Sequence, residues 1–349
     1  MTDILKQYGF SARFEALAAE HPGLTPGRVV SQERGLYRIA AQEGEKHAEV
    51  SGRFRYQAEN ASEYPAAGDF VMLDWNEGGS AVIHHVLPRK SVFIRKAAGS
   101  SRQEQVVAAN IDTVFLCMSL NNDFSLRRLE RYLSIAWDSG ATPVVVLTKA
   151  DLCGDPAGLM AQAAASAPGT DILLTSAMEE DGYAQVLPYI REGKTVAFIG
   201  SSGVGKSTLI NRLLGGDVLA TQGLRDDDKG RHTTTRRELM LLPSGGMVMD
   251  TPGMRELGMW DSEEGVGQTF SEIEALAAAC RFSDCTHGSE PGCAVRRALR
   301  SGEITRERFD AWQKLRMELA YAADSRSYLA AKEKKFKEIA KFSKSLKKR

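Results

Sequence analysis

The segment 200–208, Gly-Ser-Ser-Gly-Val-Gly-Lys-Ser-Thr, restricts the possible folds of this chain more than any other. It follows an apolar run at 195–199 and precedes a helical pattern at 208–214. A Gly-x4-Gly-Lys-Ser sequence between a buried strand and a helix is typical of a phosphate-binding loop, because its backbone N–H groups and the helix N-terminus attract phosphate. A glycine-rich turn formed by chance is the alternative, and the flanking strand and helix argue against it.

This phosphate loop supplies nine candidate nucleotide-binding residues. Lys206 is expected to reach the β- and γ-phosphate oxygens and to act in catalysis, and the Ser207 hydroxyl is expected to bind Mg²⁺. The candidates are Gly200, Ser201, Ser202, Gly203, Val204, Gly205, Lys206, Ser207 and Thr208.

A second motif, Thr148-Lys149-Ala150-Asp151, follows an apolar run at 143–147. Asp151 could accept hydrogen bonds from the N1–H and the exocyclic amine of guanine, which adenine does not offer, while the Lys149 stem could lie over the base. Such a tetrapeptide by itself is a common surface turn. Combined with Ser176 and Ala177, it is similar to the guanine-recognition set of GTPases. Those GTPases usually have Asn at the position of Thr148, which puts one hydrogen bond to the purine in question, although a hydroxyl could partly replace it.

A third motif, Asp-Thr-Pro-Gly at 250–253, follows the apolar run 247–249. In the GTPase pattern, Asp250 would hold Mg²⁺ through water and the Gly253 N–H would meet the γ-phosphate. In most GTPases the phosphate loop comes first and the base-recognition motif last, whereas here the order is reversed. The sequence therefore predicts a circular permutation, with the segment after Gly253 leading into the C-terminal module, where it could transmit the nucleotide state.

The length of 349 residues suits two or three domains. Short runs of alternating apolar and polar residues predict a small β-barrel or sandwich near the N-terminus, and an oligonucleotide-binding (OB) barrel fits the size best. From residue 110, apolar runs alternating with helical patterns predict a parallel sheet covered on both faces. We expect a helical lead at 1–23, an OB-like barrel at 24–98, a circularly permuted α/β P-loop GTPase domain at 105–262, a zinc-binding helical domain at 263–330 and a basic tail at 331–349.

Three cysteines and a histidine, Cys280, Cys285, His287 and Cys293, lie within fourteen residues. Three thiolates and one imidazole are the ligand number and type of a closed, tetrahedral structural zinc site. Buried unpaired cysteines are the alternative. The odd total of five cysteines argues against a disulfide framework, and the two remaining cysteines are expected to be ordinary thiols.

The order of β module, permuted GTPase motifs and Cys/His cluster resembles the RsgA (YjeQ/YloQ) family of GTPases that depend on the small ribosomal subunit. The resemblance covers nearly the whole chain. It implies GTP hydrolysis, Zn²⁺ and Mg²⁺ as cofactors, and action in late maturation of the small subunit with stimulation by it.

The same resemblance identifies the segment 230–236 as a switch. Within it, Thr235 is our candidate for the hydroxyl that senses Mg²⁺, with Thr234 as the alternative. The resemblance implies that His232 positions the attacking water, since Met254 stands where Ras-like proteins have a water-orienting Gln. A solvated loop histidine is the alternative interpretation of His232.

Charge distribution points to a nucleic acid partner. The chain has no net formal charge, but residues 332–349 hold nine Lys or Arg and two Glu. This tail and the basic residues of the barrel favour contact with ribosomal RNA, although a solvated helix end and ordinary surface charge would look the same. The barrel residues are Arg53, Arg55, Arg89, Lys90, Arg95 and Lys96.

No secretory signal or long apolar span is evident in the sequence, so we expect a cytoplasmic monomer with no membrane contact. A GTPase that regulates a protein partner, or a zinc-bearing RNA-binding module with weak turnover, are the alternative functions.

Overall fold

A computed structural model of the chain describes residues 4–33, 35–76, 78–96, 104–121, 123–216, 218–219, 237–250 and 263–320. The chain divides into two compact units, Met1–Gly258 and Met259–Arg349. Several sequence predictions lie outside the described residues and are not tested by them. These are His232, Thr235, Gly253, Met254 and the basic tail 331–349.

The described part of the first unit contains thirteen strands and six α-helices. The strands are β1 Thr25–Glu33, β2 Leu36–Ala41, β3 Gly44–Val50, β4 Phe70–Asp74, β5 Ala81–Val86, β6 Val92–Lys96, β7 Glu104–Ala109, β8 Thr113–Ser119, β9 Thr142–Thr148, β10 Asp171–Leu174, β11 Thr195–Ile199, β12 Arg237–Leu241 and β13 Met247–Asp250. The helices are α1 Ile4–Gln7, α2 Ala12–Ala18, α3 Gly52–Gln57, α4 Leu126–Ser139, α5 Pro156–Ser166 and α6 Lys206–Leu214.

The first five strands close a small barrel in the order β1-β2-β3-β5-β4, with β4 returning to pair with β1. The pairs are antiparallel except for β3 and β5, which are parallel. Helix α3 lies between β3 and β4 in the chain, which is the arrangement expected of an OB-like barrel. The prediction of an N-terminal β-barrel is confirmed. Its interior is apolar and includes Val29, Tyr37, Ile39, Ala48, Val71, Leu73 and Ile83.

The α/β region is built on five parallel strands in the order β10-β9-β8-β11-β13. All seven residues of β8 and all five of β11 are buried, because helices cover a parallel sheet on both faces. Strand β12 adds to the edge in antiparallel fashion. Strands β6 and β7 form a separate two-stranded ribbon.

Barrel and α/β sheet share one continuous hydrogen-bonded sheet, because β1 belongs to both. Its first half pairs with β4, whereas Ser31 and Gln32 pair with Glu238 and Arg237 of β12. The register of β1 against β2 shifts between Val29 and Ser31. A bulge of this kind bends a strand and increases its twist, which allows one strand to leave the barrel and join the edge of the second sheet.

Arg28 of β1 fixes this junction from inside. Its guanidinium is fully buried and donates hydrogen bonds to the backbone carbonyls of Tyr8, Gly68 and Asn110 and to the Thr195 hydroxyl. Burial lowers the pKa of Arg28 to about 10, which leaves the group charged at neutral pH. Thr195 begins β11 and Asn110 precedes β8, so Arg28 lies at the amino ends of the parallel strands.

The described part of the second unit is helical. Its helices are α7 Glu263–Thr269, α8 Ser271–Ala278, α9 Ala294–Ser301 and α10 at 306–320. Buried Trp312 of α10 donates a hydrogen bond to Glu274 of α8, and Arg308 bonds the Thr269 carbonyl and Glu272. Among the described residues, no helix combines the length and the apolar character required to cross a membrane.

Candidate nucleotide site and metal centre

The phosphate loop connects β11 to α6 at the carboxyl edge of the sheet. A Cβ added at Gly200 would collide with the carbonyl oxygen of Cys117 on β8, so only glycine fits there. Gly205, the N-cap of α6, has φ +98°, a left-handed conformation that glycine adopts without strain. Val204 is buried between these glycines, whereas Ser202 and Gly203 are exposed at the tip of the loop.

Lys206 folds back over its own loop. Its Nζ donates hydrogen bonds of 2.7 Å to the Gly200 carbonyl and 2.5 Å to the Ser201 carbonyl. Ser207 and Thr208 follow in the first turn of α6, which packs through Leu209 and other residues against the apolar face of the sheet. The ammonium group and the helix N-terminus thus lie beside the same glycine-rich loop, as anion binding requires.

The two predicted base-recognition segments lie side by side. The Ala150 N–H donates to the Thr175 carbonyl, and the Ser176 hydroxyl donates a 2.7 Å hydrogen bond to Asp151 Oδ1. Ser176 is buried and Asp151 is exposed, so a buried hydroxyl orients an accessible carboxylate. Lys149 has φ +57°, one of three such values among described residues other than glycine. Conformations of this kind cost of order 1–3 kcal/mol and cluster at functional sites.

Thr148 joins the base-recognition segment to the phosphate loop. Its hydroxyl donates a hydrogen bond of 2.5 Å to the carbonyl of Val204. This contact spans 56 residues of chain, and Ser176–Asp151 spans 25. The structure therefore brings together three segments that are separate in the sequence, namely 148–151, 176–177 and the phosphate loop 200–208. Asp250 ends β13, which is parallel to β11, so its carboxylate also belongs to the carboxyl edge of the sheet.

Two arginines at this edge were missed by the sequence reasoning. Arg128 of α4 donates to the Ser201 hydroxyl at 2.6 Å and forms an ion pair with Asp123 at 2.5 Å. Arg212 of α6 donates to the Ala177 carbonyl at 3.1 Å. Neither residue belongs to a recognisable sequence motif. Each contacts the site only because the folded sheet brings distant segments of the chain together.

The four predicted metal ligands converge in the second unit. Their ligand atoms all lie within 4.8 Å of one another. The Cys280 and Cys293 sulfurs are 3.8 Å apart, and the His287 Nδ1 lies 3.6 and 3.5 Å from them. Tetrahedral zinc, with Zn–S bonds of about 2.3 Å and Zn–N bonds of about 2.0–2.1 Å, gives S–S edges of about 3.8 Å and N–S edges of about 3.5 Å. The cluster could therefore hold a zinc ion through Nδ1 of His287.

Local electrostatics also suit a cation at this cluster. Burial by itself raises the pKa of Cys280, but backbone N–H groups of Val295 and Ala294 bring it below its ordinary value. The pKa of Cys285 is raised to about 11 by burial and by the neighbouring sulfurs. Burial lowers the pKa of His287, which favours the neutral, metal-binding imidazole. A divalent cation would offset the mutual repulsion that keeps these sulfurs from all becoming thiolates.

The fold and the converging motifs define a P-loop GTPase whose sheet is circularly permuted and preceded by an OB-like barrel. The model of the RsgA GTPase family matches residues 86–260. The chain belongs to the RsgA GTPase family.

Relatives in this family are similar over almost their whole length. The Small ribosomal subunit biogenesis GTPase RsgA 2 of Lactiplantibacillus plantarum is 50% identical over 323 residues, which cover 92% of this chain and 91% of the relative. The Small ribosomal subunit biogenesis GTPase RsgA of Opitutus terrae is 45% identical, over 90% of this chain and 88% of its own.

Two crystal structures have the same fold. YjeQ from Thermotoga maritima is 30% identical, with a TM-score of 0.65 over 85% of this chain and 99% of its own. YloQ, described as a circularly permuted GTPase, is 25% identical, with a TM-score of 0.61 over 86% of this chain and 96% of its own. These similarities agree with the resemblance inferred from the motifs.

Proposed function

We propose that this chain hydrolyses GTP at the carboxyl edge of its sheet during late maturation of the small ribosomal subunit, and that the subunit stimulates the reaction. The observation that carries the proposal is the convergence of segments 148–151 and 176–177 with the phosphate loop through the Thr148–Val204 and Ser176–Asp151 hydrogen bonds. The names of the relatives, which specify biogenesis of the small ribosomal subunit, support the choice of partner.

Each motif has a role in this reaction. Backbone N–H groups of the phosphate loop bind the β-phosphate, and Lys206 exchanges its carbonyl partners for β- and γ-phosphate oxygens. Asp151, oriented by Ser176, accepts hydrogen bonds from guanine, and Lys149, Ala150 and Ala177 border the base.

Mg²⁺ fits this edge, because a hydroxyl at Ser207 and a carboxylate at Asp250 are the hard oxygen ligands it prefers. Thr235 is the proposed third group. When bound, the ion neutralises charge on the β- and γ-phosphate oxygens. The Gly253 N–H is proposed to bond the γ-phosphate.

His232 is the proposed water-positioning group. An imidazole can orient water as donor or acceptor near neutral pH, and Met254 has no group able to do so. We expect His232→Ala to retain GTP affinity and to lose most of the turnover stimulated by the small subunit. Unchanged stimulated turnover would remove His232 from the mechanism.

The remaining parts of the chain are assigned on the same basis. We propose that Cys280, Cys285, His287 and Cys293 hold one structural Zn²⁺. The proposed domains are the helical lead 1–23, the barrel 24–98, the GTPase domain 105–262, the zinc-binding domain 263–330 and the basic tail 331–349. The basic tail and the barrel are proposed to contact ribosomal RNA, and the protein is proposed to act as a monomer in the cytoplasm, where ribosomes mature.

The decisive experiment measures phosphate release from GTP by the protein alone, with small ribosomal subunits and with large ribosomal subunits. ATP is the control nucleotide, and Ser207→Ala is the control for the active site because it removes a proposed Mg²⁺ ligand. We expect strong stimulation by the small subunit only, with GTP only, and none in the variant. Turnover unaffected by either subunit would favour a protein partner, and no turnover under any condition would favour an RNA-binding module.

A further inference from the structure

Thr148 occupies the position at which other GTPases usually have Asn, and its contacts determine what it can offer to a purine. It is the last residue of β9 and only 5% exposed. Two backbone carbonyl oxygens face its hydroxyl, that of Val204 at 2.5 Å and that of Met118 at 3.4 Å. Both neighbours are acceptors. The inference drawn from these contacts rests on the proposed GTP site.

A threonine hydroxyl carries one hydrogen and two lone pairs. Since both neighbours accept, that hydrogen is donated to a carbonyl, and the 2.5 Å distance assigns it to Val204. The bond attaches the end of β9 to the phosphate loop. Only lone pairs of the hydroxyl remain for a nucleotide.

N7 of a purine is itself an acceptor, so it gains nothing from a hydroxyl that has only lone pairs left. An Asn amide carries two hydrogens and could bond the Val204 carbonyl and N7 at once. The carboxylate of Asp151, which Ser176 orients, offers two acceptors to the N1–H and 2-amino groups on the opposite side of guanine.

We propose that Thr148 makes this GTPase insensitive to position 7 of the purine, so that it recognises guanine through the N1–H and 2-amino edge alone. Its substrate class then extends to guanosine triphosphates without N7. 7-Deaza-GTP is the simplest, since a C–H replaces N7 and the remainder of the base is unchanged.

The test compares the dissociation constants of GTP and 7-deaza-GTP for the wild-type protein by calorimetry. We expect the two values to agree within about twofold, whereas loss of a hydrogen bond to N7 would weaken 7-deaza-GTP about fivefold or more. ITP, which lacks the 2-amino group, serves as the control for the Asp151 edge and should bind more weakly than GTP. A fivefold or larger preference of the wild type for GTP over 7-deaza-GTP would overturn the proposal.

Variants of Thr148 assign the effect to this side chain. Thr148→Asn should create a preference of about fivefold for GTP over 7-deaza-GTP and leave the ratio of GTP to ITP unchanged. Thr148→Val removes the bond to Val204, so affinity for both nucleotides should fall equally. A Thr148→Asn protein that binds nucleotide but shows no new preference would overturn the assignment to Thr148.

Failure of the proposed function would look different. If the wild-type protein bound neither GTP nor 7-deaza-GTP, or bound ATP as tightly as GTP, the proposal of a guanine-specific site would itself be wrong. The ratio of the dissociation constants of GTP and 7-deaza-GTP is measured on the wild-type protein. The inference therefore stays testable even if Asn is not accommodated at this buried position.

Discussion

The four ligands of the Cys/His cluster lie within fourteen residues, whereas the nucleotide site draws on loops between residues 148 and 250. The cluster contains three thiol groups whose charged forms would repel one another, so the proposed Zn²⁺ would stabilise it. The nucleotide site is instead held by hydrogen bonds within the protein, from Thr148 to Val204 and from Ser176 to Asp151. The proposed Zn²⁺ would thus complete the first site, whereas the sheet already holds the second in place. Four experiments test this contrast, in order of decreasing expected effect.

Removing the metal should have the largest effect. Structural zinc contributes an apparent free energy of about 10–16 kcal/mol in small zinc-binding peptides, so a strong chelator or Cys280→Ser should unfold the second unit. We expect loss of helical circular dichroism from that unit while affinity for GTP changes less than about threefold. Cys153→Ser is the matched control, because Cys153 is a partly exposed free cysteine. If the second unit stayed folded and elemental analysis found no zinc in it, the cluster would not depend on a metal ion and the contrast between the two sites would be wrong.

Gly200→Ala should have the next largest effect, confined to the nucleotide site. The added Cβ would collide with the Cys117 carbonyl, so the loop has to move away from β8. We expect GTP binding to weaken by about a thousandfold, about 4 kcal/mol, in calorimetric titration. Gly154→Ala is the control, since a Cβ there meets no atom within 4 Å. GTP affinity near that of the wild type would mean that the loop can move away from β8 without loss of the nucleotide site.

Arg28→Met tests whether stability and binding separate within the sheet. The carbonyls of Gly68 and Asn110 would lose a buried donor, which we expect to lower the free energy of unfolding by about 3 kcal/mol in urea denaturation. GTP affinity should be unchanged, because Arg28 lies at the amino ends of the strands. Exposed Arg13, substituted by Met, should alter stability by less than about 0.5 kcal/mol. A parallel loss of GTP affinity in Arg28→Met would show that the two ends of the sheet are coupled.

Ser176→Ala should have the smallest effect. It removes the hydrogen bond that orients Asp151, which is worth about 1 kcal/mol or about fivefold in GTP affinity. We expect a smaller preference for GTP over ITP in the same titration, because a misoriented carboxylate loses contact with the 2-amino group. An unaltered preference would indicate that the backbone alone positions Asp151.

Local patterns in the sequence predicted much of the fold. The apolar runs 113–118 and 195–199 are buried strands, and the helical pattern from residue 126 is α4. Strand β3 gives a weak sequence signal because most of its residues are polar, although their burial alternates along the strand. The ribbon of β6 and β7 was not predicted, because it depends on the pairing of two strands that no local pattern reveals. No local feature of the sequence predicts the register shift in β1.

The chemical groups of each site could be identified from the sequence alone: the glycines and Lys206 of the phosphate loop, the carboxylate of Asp151 and the four Cys and His side chains of the cluster. The permuted order of the motifs could be identified in the same way. These features follow from residue type and spacing, which are properties of short segments. Three further features could be known only from the folded chain: the Thr148 hydroxyl donates to the Val204 carbonyl, Arg128 contacts Ser201, and β1 links the barrel to the sheet. Each depends on strand pairing between distant residues, and such pairing is chosen by the packing of the whole sheet.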